Sequence, residues 1–301
     1  MDKKLGTAYL AAEGYEKQLS SELKGVTEQH GRLFLTNSEP QVAFWAQNIW
    51  VDPFLASFES ISEAANILKN IQRNWAFYPY VEHRRAALIK AKLPFISEKS
   101  MLFPAKIPEQ KIGSFVLLDK HTMIVSPTCS SLYPNGLLNF EECKEGPPSR
   151  AYLKLWEALT VAGKMPDERS KCLEIGASPG GWTFVLAQLK SQVISVDRSP
   201  LSPNVMALPN VHFIKGDAFA MTPSKIGAID WIFSDVACYP EKLLEWVKLW
   251  ITSGLCKNFI CTLKFQGEDS YEISHKFASI PGSLVLHLGA NKHELTWICS
   301  L

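Results

Sequence analysis

The 301-residue sequence lacks several features that would place a protein in a specialised class. No uninterrupted apolar run approaches the length of about 18 residues that a membrane-spanning helix needs, and no apolar stretch follows the charged N-terminus. The seven cysteines form no CxxC pair, and most lie inside apolar runs, which is typical of buried thiols in a reducing compartment. We therefore predict a cytoplasmic, monomeric protein that has no membrane partner and no metal.

A large net charge is also missing, since the chain carries only +1. That balance hides a basic segment, because residues 66–120 hold ten Lys and Arg against four Asp and Glu. Aromatic residues alternate with these cations, a composition that suits a nucleic-acid surface. A solvated helix face beside core aromatics explains the same composition equally well. The candidate RNA-binding residues are Arg73, Arg84, Arg85, Lys90 and Lys92.

Composition and turn signals divide the chain into three predicted domains. Residues 1–55 read as a small α+β unit, and residues 56–145 form the candidate RNA-binding domain. A Glu-Gly-Pro-Pro sequence at 145–148 marks the boundary before a third domain, residues 146–301. Within the first two domains, Ser62–Trp75 has the spacing of an amphipathic helix and Ser114–Val125 reads as a strand.

From Ser149 onward, predicted strands and helices alternate, as they do in an open α/β sheet. A helix that Ser149 can cap runs to about Ala162, and another is predicted over residues 268–279. The last two strands are joined by too few residues for a parallel crossover, so they must form an antiparallel hairpin. Six strands with a reversed seventh describe the Rossmann-like fold of S-adenosylmethionine-dependent methyltransferases. The predicted strands are 171–176, 192–197, 211–215, 229–234, 257–265, 283–289 and 294–300.

A glycine-rich loop at 176–181 joins the first of these strands to a helix. Gly176 and Gly180 permit positive φ, and Pro179 fits a first helical turn. Such a loop lets a ligand approach the backbone closely, although an ordinary βα turn is the simpler alternative. The loop does not match the GxGxxG pattern of dinucleotide folds. The candidate cofactor contacts here are Gly176, Ser178, Pro179, Gly180, Gly181 and Trp182.

Two acids follow the next two strands of the predicted sheet. Asp197 lies where a carboxylate can accept both hydroxyls of a ribose, and Asp217 could accept the exocyclic amine of adenine. A helix cap for Asp197 and a surface turn for Asp217 are the structural alternatives. The pair favours S-adenosyl-L-methionine as the cofactor.

Four further residues are predicted to meet beside this cofactor. Asp235 ends the fourth strand, Lys264 lies near the end of the fifth, and Glu294 begins the reversed seventh. All three therefore reach the carboxyl edge of the sheet, where ligands bind in such folds. Lys154 lies on the helix that precedes the first strand.

These motifs resemble the FtsJ-type ribose 2′-O-methyltransferases, within which the likeness is greatest to bacterial enzymes that modify a cytidine of large-subunit rRNA. The motifs are Ser-Arg-x-x-x-Lys-Leu at 149–155, Gly-Ala-Ser-Pro-Gly-Gly-Trp-Thr at 176–183, Asp235, Leu263-Lys264 and His-Glu-Leu-Thr at 293–296. The resemblance covers residues 149–301 well. It extends weakly into the N-terminal half, which in that family holds a small domain and a THUMP RNA-binding domain.

The resemblance implies a Lys-Asp-Lys-Glu tetrad that methylates a ribose hydroxyl of rRNA. Lys264 would be the base, Lys154 its electrostatic neighbour, and Asp235 and Glu294 would orient the two lysines. Asp235 would also lie near the methyl donor. A lysine can act as a base only when neutral, and burial beside a second cation favours that form.

Other functions remain open on the sequence alone. Methylation of a base amino group usually needs an Asp/Asn-Pro-Pro-Tyr/Phe motif after the fourth strand, and residues 235–238 do not match it. A cytosine carbon methyltransferase would need a Pro-Cys pair that Cys238 lacks. A non-catalytic RNA-binding or ribosome-assembly factor, or a small-molecule methyltransferase, would fit the same scaffold.

Overall fold

The chain forms two compact units in a computed structural model that describes residues 3–143, 145–265 and 271–301. The first unit comprises the described residues up to Met101 together with Ile107–Asn139. The second comprises Leu102–Lys106 and the described residues from Phe140 onward. Within the described ranges, no helix is both long enough and apolar enough to cross a bilayer.

The first unit is built on two sheets. One has four strands in the order β3-β4-β2-β5, and the other has five in the order β1-β6-β9-β8-β7. Leu10 and Trp50 of the first sheet share an apolar core with Val116 and Ile124 of the second. The elements are β1 (Lys3–Lys4), β2 (Thr7–Ala11), α1 (Glu16–Glu22), β3 (Val26–His30), β4 (Leu33–Thr36), β5 (Ala46–Trp50), β6 (Phe54–Ser57), α2 (Ile61–Ile71), β7 (Trp75–Phe77), α3 (His83–Ala91), β8 (Gly113–Leu117) and β9 (Thr122–Ser126). The predicted boundaries at 55 and 145 and the THUMP-like character of 56–145 stay predictions.

Two expectations for this unit were wrong in detail. The helix predicted over Ser62–Trp75 ends at Ile71, because Trp75 begins β7 and its indole donates to the carbonyls of Leu68 and Gln72, both at 3.0 Å. The single strand predicted over Ser114–Val125 is an antiparallel hairpin of β8 and β9. Asp119 stabilises its turn by accepting the His121 amide at 2.7 Å.

The second unit has the predicted α/β fold. Its sheet has the order β12-β11-β10-β13-β14-β16-β15, in which β16 runs antiparallel to both neighbours. The seven strands and the reversed last strand are therefore confirmed. The elements are α4 (Tyr152–Ala162), β10 (Lys171–Ile175), α5 (Gly181–Gln188), β11 (Gln192–Asp197), α6 (Pro203–Met206), β12 (Val211–Lys215), α7 (Pro223–Ile226), β13 (Trp231–Ser234), α8 (Pro240–Ser253), β14 (Asn258–Lys264), α9 (Tyr271–Ala278), β15 (Ser283–Leu286) and β16 (Glu294–Ser300). Residues 268–270 of the helix predicted over 268–279 lie outside the described residues.

Helices cover both faces of this sheet. On one face, α4 and α5 pack their apolar residues against alternate strand residues such as Phe233 and Ile260. On the other, Phe277 of α9 contacts Trp297, which in turn contacts Phe259. Because successive strand residues face opposite sides, strands buried on both faces carry apolar residues on both sides, as Phe259, Ile260 and Cys261 of β14 do.

A carboxylate lies inside this apolar interior. Glu174 of β10 is 1% exposed, and its Oε2 accepts a hydrogen bond from Thr183 Oγ1 at 2.6 Å. Burial raises the pKa of the Glu174 carboxyl from about 4.5 to about 8, although the Thr183 hydroxyl favours the ionised form. The folded state therefore holds this proton more tightly than the unfolded state does, and the free energy of unfolding should fall as pH rises between those two values.

Glu174→Gln should raise the melting temperature at about pH 9, where the wild-type carboxylate is ionised, and have little effect at about pH 5. An amide keeps the acceptor for Thr183 without a buried charge, and we expect a gain of roughly 3–10 °C at the higher pH. Calorimetric melting at both pH values measures this. Glu168→Gln, at an exposed site, is the matched control. An equal shift at both pH values would contradict the assignment.

Candidate active site

The loop after β10 depends on two glycines with positive φ. Gly176 has φ of +73°, and its amide donates to the carbonyl of Val196 at 3.0 Å. A β-carbon at this position would lie 2.5 Å from the Cα of Val236, so only glycine fits. Gly180 has φ of +110° and occupies the N-cap of α5. The loop therefore passes directly against the residue that follows Asp235.

Pro179 does not occupy a first helical turn, contrary to expectation. It precedes Gly180, whose positive φ cannot belong to a right-handed helix, so α5 starts only at Gly181. The Ser178–Pro179 peptide is cis, and the Pro179 carbonyl accepts the amide of Ser202 at 2.9 Å. The proline thus joins the loop to the chain that follows β11.

Asp197 fixes the shape of the loop from the end of β11. Its Oδ2 accepts the Ser178 amide at 3.0 Å, and its Oδ1 accepts the Ser199 amide at 2.8 Å. The Ser178 hydroxyl donates to the carbonyl of Pro200 at 2.9 Å. Each carboxylate oxygen can accept a second hydrogen bond, so Asp197 can still receive hydroxyl donors.

Asp217 lies beyond the end of the neighbouring strand, β12. It is the N-cap of a short 3₁₀ turn and accepts the Phe219 amide at 3.2 Å, which is the turn role that we gave as its alternative. Half of its side chain is exposed, and Arg198 lies 4.0 Å away. Since β11 and β12 are parallel neighbours, Asp197 and Asp217 share one edge of the sheet.

Trp182 and Ser149 have positions that the sequence did not predict. Trp182 is buried, and its indole donates to the carbonyl of Ala151 at 2.8 Å, so it anchors the loop to the start of α4. Ser149 does not cap α4, because Ala151 is the N-cap residue. The Ser149 hydroxyl instead lies beside Gly181, buried and without a hydrogen-bond partner among the described atoms. An orphaned hydroxyl next to the loop fits a site that gains a polar ligand.

The four residues predicted as a tetrad lie together at this edge of the sheet. Lys154 Nζ contacts Asp235 Oδ1 at 2.9 Å and Glu294 Oε1 at 2.9 Å. Lys264 Nζ contacts Asp235 Oδ1 at 3.0 Å and donates to the Asp235 carbonyl at 2.5 Å. Lys264 and Glu294 are direct partners in the antiparallel pairing of β14 and β16. The Asp235 carboxylate therefore bridges two ammonium groups.

Electrostatics keep the centre of this cluster ionised. Burial works against ionisation of Asp235, but Lys154 and Lys264 outweigh it, so the pKa of this carboxyl lies below its ordinary value. Burial likewise works against the charge on Lys154, but Asp235 and Glu294 outweigh it and raise the pKa of the ammonium. Lys154 is thus held as a cation.

The two lysines differ in access to solvent. The side chain of Lys154 is 9% exposed and lies between two carboxylates, whereas that of Lys264 is 25% exposed and pairs with one carboxylate among the described residues. Thr262, which the sequence reasoning missed, donates its hydroxyl to Asp235 Oδ1 at 2.9 Å. It lies two residues before Lys264, so strand alternation places both side chains on one face, a signal that could have identified it.

The candidate RNA-binding residues lie in the first unit and only some of them share a surface. Arg73 and Lys90 line one cavity of about 840 Å³, together with Arg32, Lys99 and Phe95. Arg84 and Lys92 are exposed on and just after α3, and they do not line that cavity. Arg85 is half-buried, with its guanidinium over the Phe58 ring and donating to the carbonyl of Glu59 at 3.1 Å.

Within the part of the chain that the structure describes, no group of three or more His, Cys, Asp or Glu is arranged to hold a metal ion.

Comparison with known proteins finds one family model and several relatives that are similar to part of the chain. Residues 147–262 match the family model described as FtsJ-like methyltransferase. A protein of Marinobacter nauticus named ribosomal RNA large subunit methyltransferase M is 32% identical over 168 residues, covering 52% of this chain and 46% of its own length. Proteins of the same name from Xylella fastidiosa (36% identical; 39% and 34% covered) and Xanthomonas campestris pv. campestris (32% identical; 60% and 51% covered) are also similar. The chain thus spans about half the length, or less, of these relatives.

Gly176→Ala should weaken binding of S-adenosylmethionine by at least about 10-fold, because the added methyl meets the Val236 backbone and the residue must keep a positive φ. Displacement of Val236 would also move Asp235. Calorimetric titration measures the affinity, and thermal melting measures the loss of stability. Gly216→Ala is the control for stability, since a β-carbon there meets nothing within 4 Å. Wild-type affinity in Gly176→Ala would contradict the role of this loop.

Proposed function

Because residues 147–262 match the FtsJ-like methyltransferase family, we propose that the protein methylates a ribose 2′-hydroxyl of large-subunit rRNA. The bridge of Lys154, Asp235 and Lys264 carries this proposal, because a lysine that could act as the base shares the Asp235 carboxylate with a second lysine. The name of the relatives, ribosomal RNA large subunit methyltransferase M, supports rRNA as the substrate.

S-adenosylmethionine is the cofactor of this domain, and when bound it supplies a methyl group on a positively charged sulfur. Asp197 fits the ribose hydroxyls and Asp217 the adenine amine, since both lie on one edge of the sheet with acceptor capacity left. The 176–181 loop would hold the amino-acid end, near the orphaned hydroxyl of Ser149. Trp182 would contribute by holding the loop in place, since its own indole is buried and already bonded.

Lys264 is the candidate general base. A ribose hydroxyl is a weak acid and must lose its proton as its oxygen forms the new bond to the methyl carbon. Lys264 is the more exposed lysine and would accept that proton after losing its own to solvent, a contribution of about 10²- to 10⁴-fold in rate. Lys154, held protonated, would stabilise the negative charge that develops on the oxygen.

The two acids of the tetrad would keep these roles separate. Among the described residues, Glu294 forms its ion pair with Lys154 and Lys264 forms its own with Asp235, so Lys154 has two anionic partners within 2.9 Å. Asp235 is held by both lysines and by the Thr262 hydroxyl, which leaves its carboxylate little freedom to turn. We propose that this asymmetry assigns the proton-accepting role to Lys264.

Lys264→Ala should lower methyl transfer to rRNA by at least about 100-fold while leaving S-adenosylmethionine affinity within about 3-fold, because the base is lost but the loop is intact. Transfer of tritium from labelled cofactor and calorimetric titration measure the two quantities. Lys257→Ala is the matched control, since Lys257 is exposed just before β14, at the opposite end of the strand from Lys264. A fully active Lys264→Ala would overturn the mechanism, and RNA binding without transfer by the wild type would overturn the enzymatic function.

We propose that the 840 Å³ cavity of the first unit, most of whose lining residues lie in the THUMP-like domain predicted over residues 56–145, binds single-stranded RNA. Arg73 and Lys99 suit phosphates, whereas the Arg32 guanidinium already donates to the Ala11 carbonyl at 2.7 Å. Phe95 is 83% exposed, which is unusual for a large apolar ring. An exposed ring beside cations can stack on a base. Lys90 is less available, because it pairs with Glu98 at 2.7 Å.

Arg73→Ala and Phe95→Ala should weaken binding of a single-stranded oligoribonucleotide in different ways. Loss of Arg73 removes a phosphate contact, so the slope of log affinity against log salt should become shallower by about 0.7. Loss of Phe95 removes stacking, so affinity should fall by roughly 5- to 100-fold with an unchanged slope. Fluorescence anisotropy over a salt series measures both. Lys120→Ala, on the turn between β8 and β9, is the control, and equal slopes in all variants would contradict the assignment.

A further inference from the structure

A second buried carboxylate lies one helical turn beyond Lys154. Glu157 of α4 is 3% exposed, and its Oε2 accepts the Gly289 amide at 2.8 Å. The Ala290 amide also donates to this carboxylate. Burial raises the pKa of Glu157 to about 7, although both amides favour the ionised form. The described groups that bond Glu157 are thus backbone amides of the loop between β15 and β16.

The same loop leads into Glu294 of the tetrad. Leu288, at its start, is buried in the core that α4 and α5 form with the sheet. Asn291, further on, is 7% exposed, and its amide nitrogen donates to the Glu294 carbonyl at 3.2 Å and to Thr296 Oγ1 at 3.1 Å. The backbone amide of Asn291 donates to the Leu288 carbonyl at 3.0 Å, which forms a turn. These hydrogen bonds therefore leave the backbone little freedom to move between Gly289, which Glu157 binds, and Glu294.

These contacts close a ring on α4. Lys154 and Glu157 lie three residues apart on the helix, so their side chains share one face. Lys154 contacts the Glu294 side chain, Asn291 holds the Glu294 backbone, and Glu157 holds the loop that contains Asn291. Because α4 contacts Glu294 and the loop before it through two separate side chains, both the distance and the rotation of the start of β16 relative to α4 are fixed.

We propose that Glu157 is a positioning residue of the methyl-transfer site, which holds the β15–β16 loop so that Glu294 stays in contact with Lys154. This inference rests on the proposed function. It differs from a purely structural role because the effect on rate must pass through Glu294. A displacement of about 1 Å at a catalytic group can cost up to roughly 100-fold in rate, so a single anchor can matter for chemistry.

A double-mutant cycle in the full chain tests the proposal. Glu157→Ala should lower kcat by roughly 10- to 100-fold, with the KM for RNA and the affinity for S-adenosylmethionine changed by less than about 3-fold. In a Glu294→Gln background, the same change should lower kcat by less than about 2-fold, because the group it positions is already lost. Equal factors in both backgrounds would overturn the proposal, as would wild-type kcat in Glu157→Ala.

Two substitutions distinguish the length of the Glu157 side chain from its charge. They also test the proposal if the alanine variant does not fold. Glu157→Asp keeps the carboxyl group but shortens the side chain by one methylene, so it should lower kcat almost as much as alanine does. Glu157→Gln keeps the length and one acceptor oxygen, so it should recover most of the rate. A higher kcat for Glu157→Asp than for Glu157→Gln would overturn the proposal. Glu168→Ala, on the surface, is the control for mutation as such.

The wild-type reaction distinguishes this inference from the function on which it rests. If the wild type transfers no methyl group to rRNA, the proposed function fails. If the wild type is active but Glu157→Ala lowers kcat by the same factor with and without Glu294→Gln, only the role proposed for Glu157 fails.

Discussion

The candidate active site depends on a carboxylate shared between two ammonium groups. Asp235 lies within 3.0 Å of both Lys154 and Lys264, and it is largely buried. Isolated burial of such a charge would cost several kcal/mol, and removal of one partner from a buried ion pair typically costs about 3–5 kcal/mol. Three elements must therefore be placed correctly at once: the start of α4, the end of β13 and the end of β14. The sheet order supplies that placement, since β13 lies directly beside β14.

Much of this arrangement follows from the sequence because parallel strands end at one edge. An acid after β13 and a lysine at the end of β14 must lie close together once the two strands are neighbours. The position of Glu294 follows from the short connection before β16, which forces the last strand to run in reverse. The loop glycines were predictable for a different reason, since the demand for positive φ at Gly176 is a local property of the chain.

Other features were out of reach because they depend on contacts between distant residues. The end of α2 is set by the burial of Trp75 in β7, which helical spacing cannot show. The turn between β8 and β9 contains neither glycine nor proline, so the sequence carried no strong signal to divide the hairpin. Composition also cannot show which of the Lys and Arg side chains are bonded to other groups of the folded protein. Arg85 is bonded to the Glu59 carbonyl and Lys90 to Glu98, whereas Arg73 is exposed in the same basic segment.

Burial alone does not decide the charge of an acid in this domain. Asp235, Glu157 and Glu174 are all largely buried, yet the pKa of Asp235 is lowered while those of Glu157 and Glu174 are raised to about 7 and about 8. The difference lies in the partners, which are ammonium groups for Asp235 and neutral donors for the two glutamates. Of these three acids, Asp235 is therefore the one that stays fully ionised at neutral pH. Among the described residues, Lys154 has two carboxylate partners, which keep it charged, whereas Lys264 has one, which it shares with Lys154.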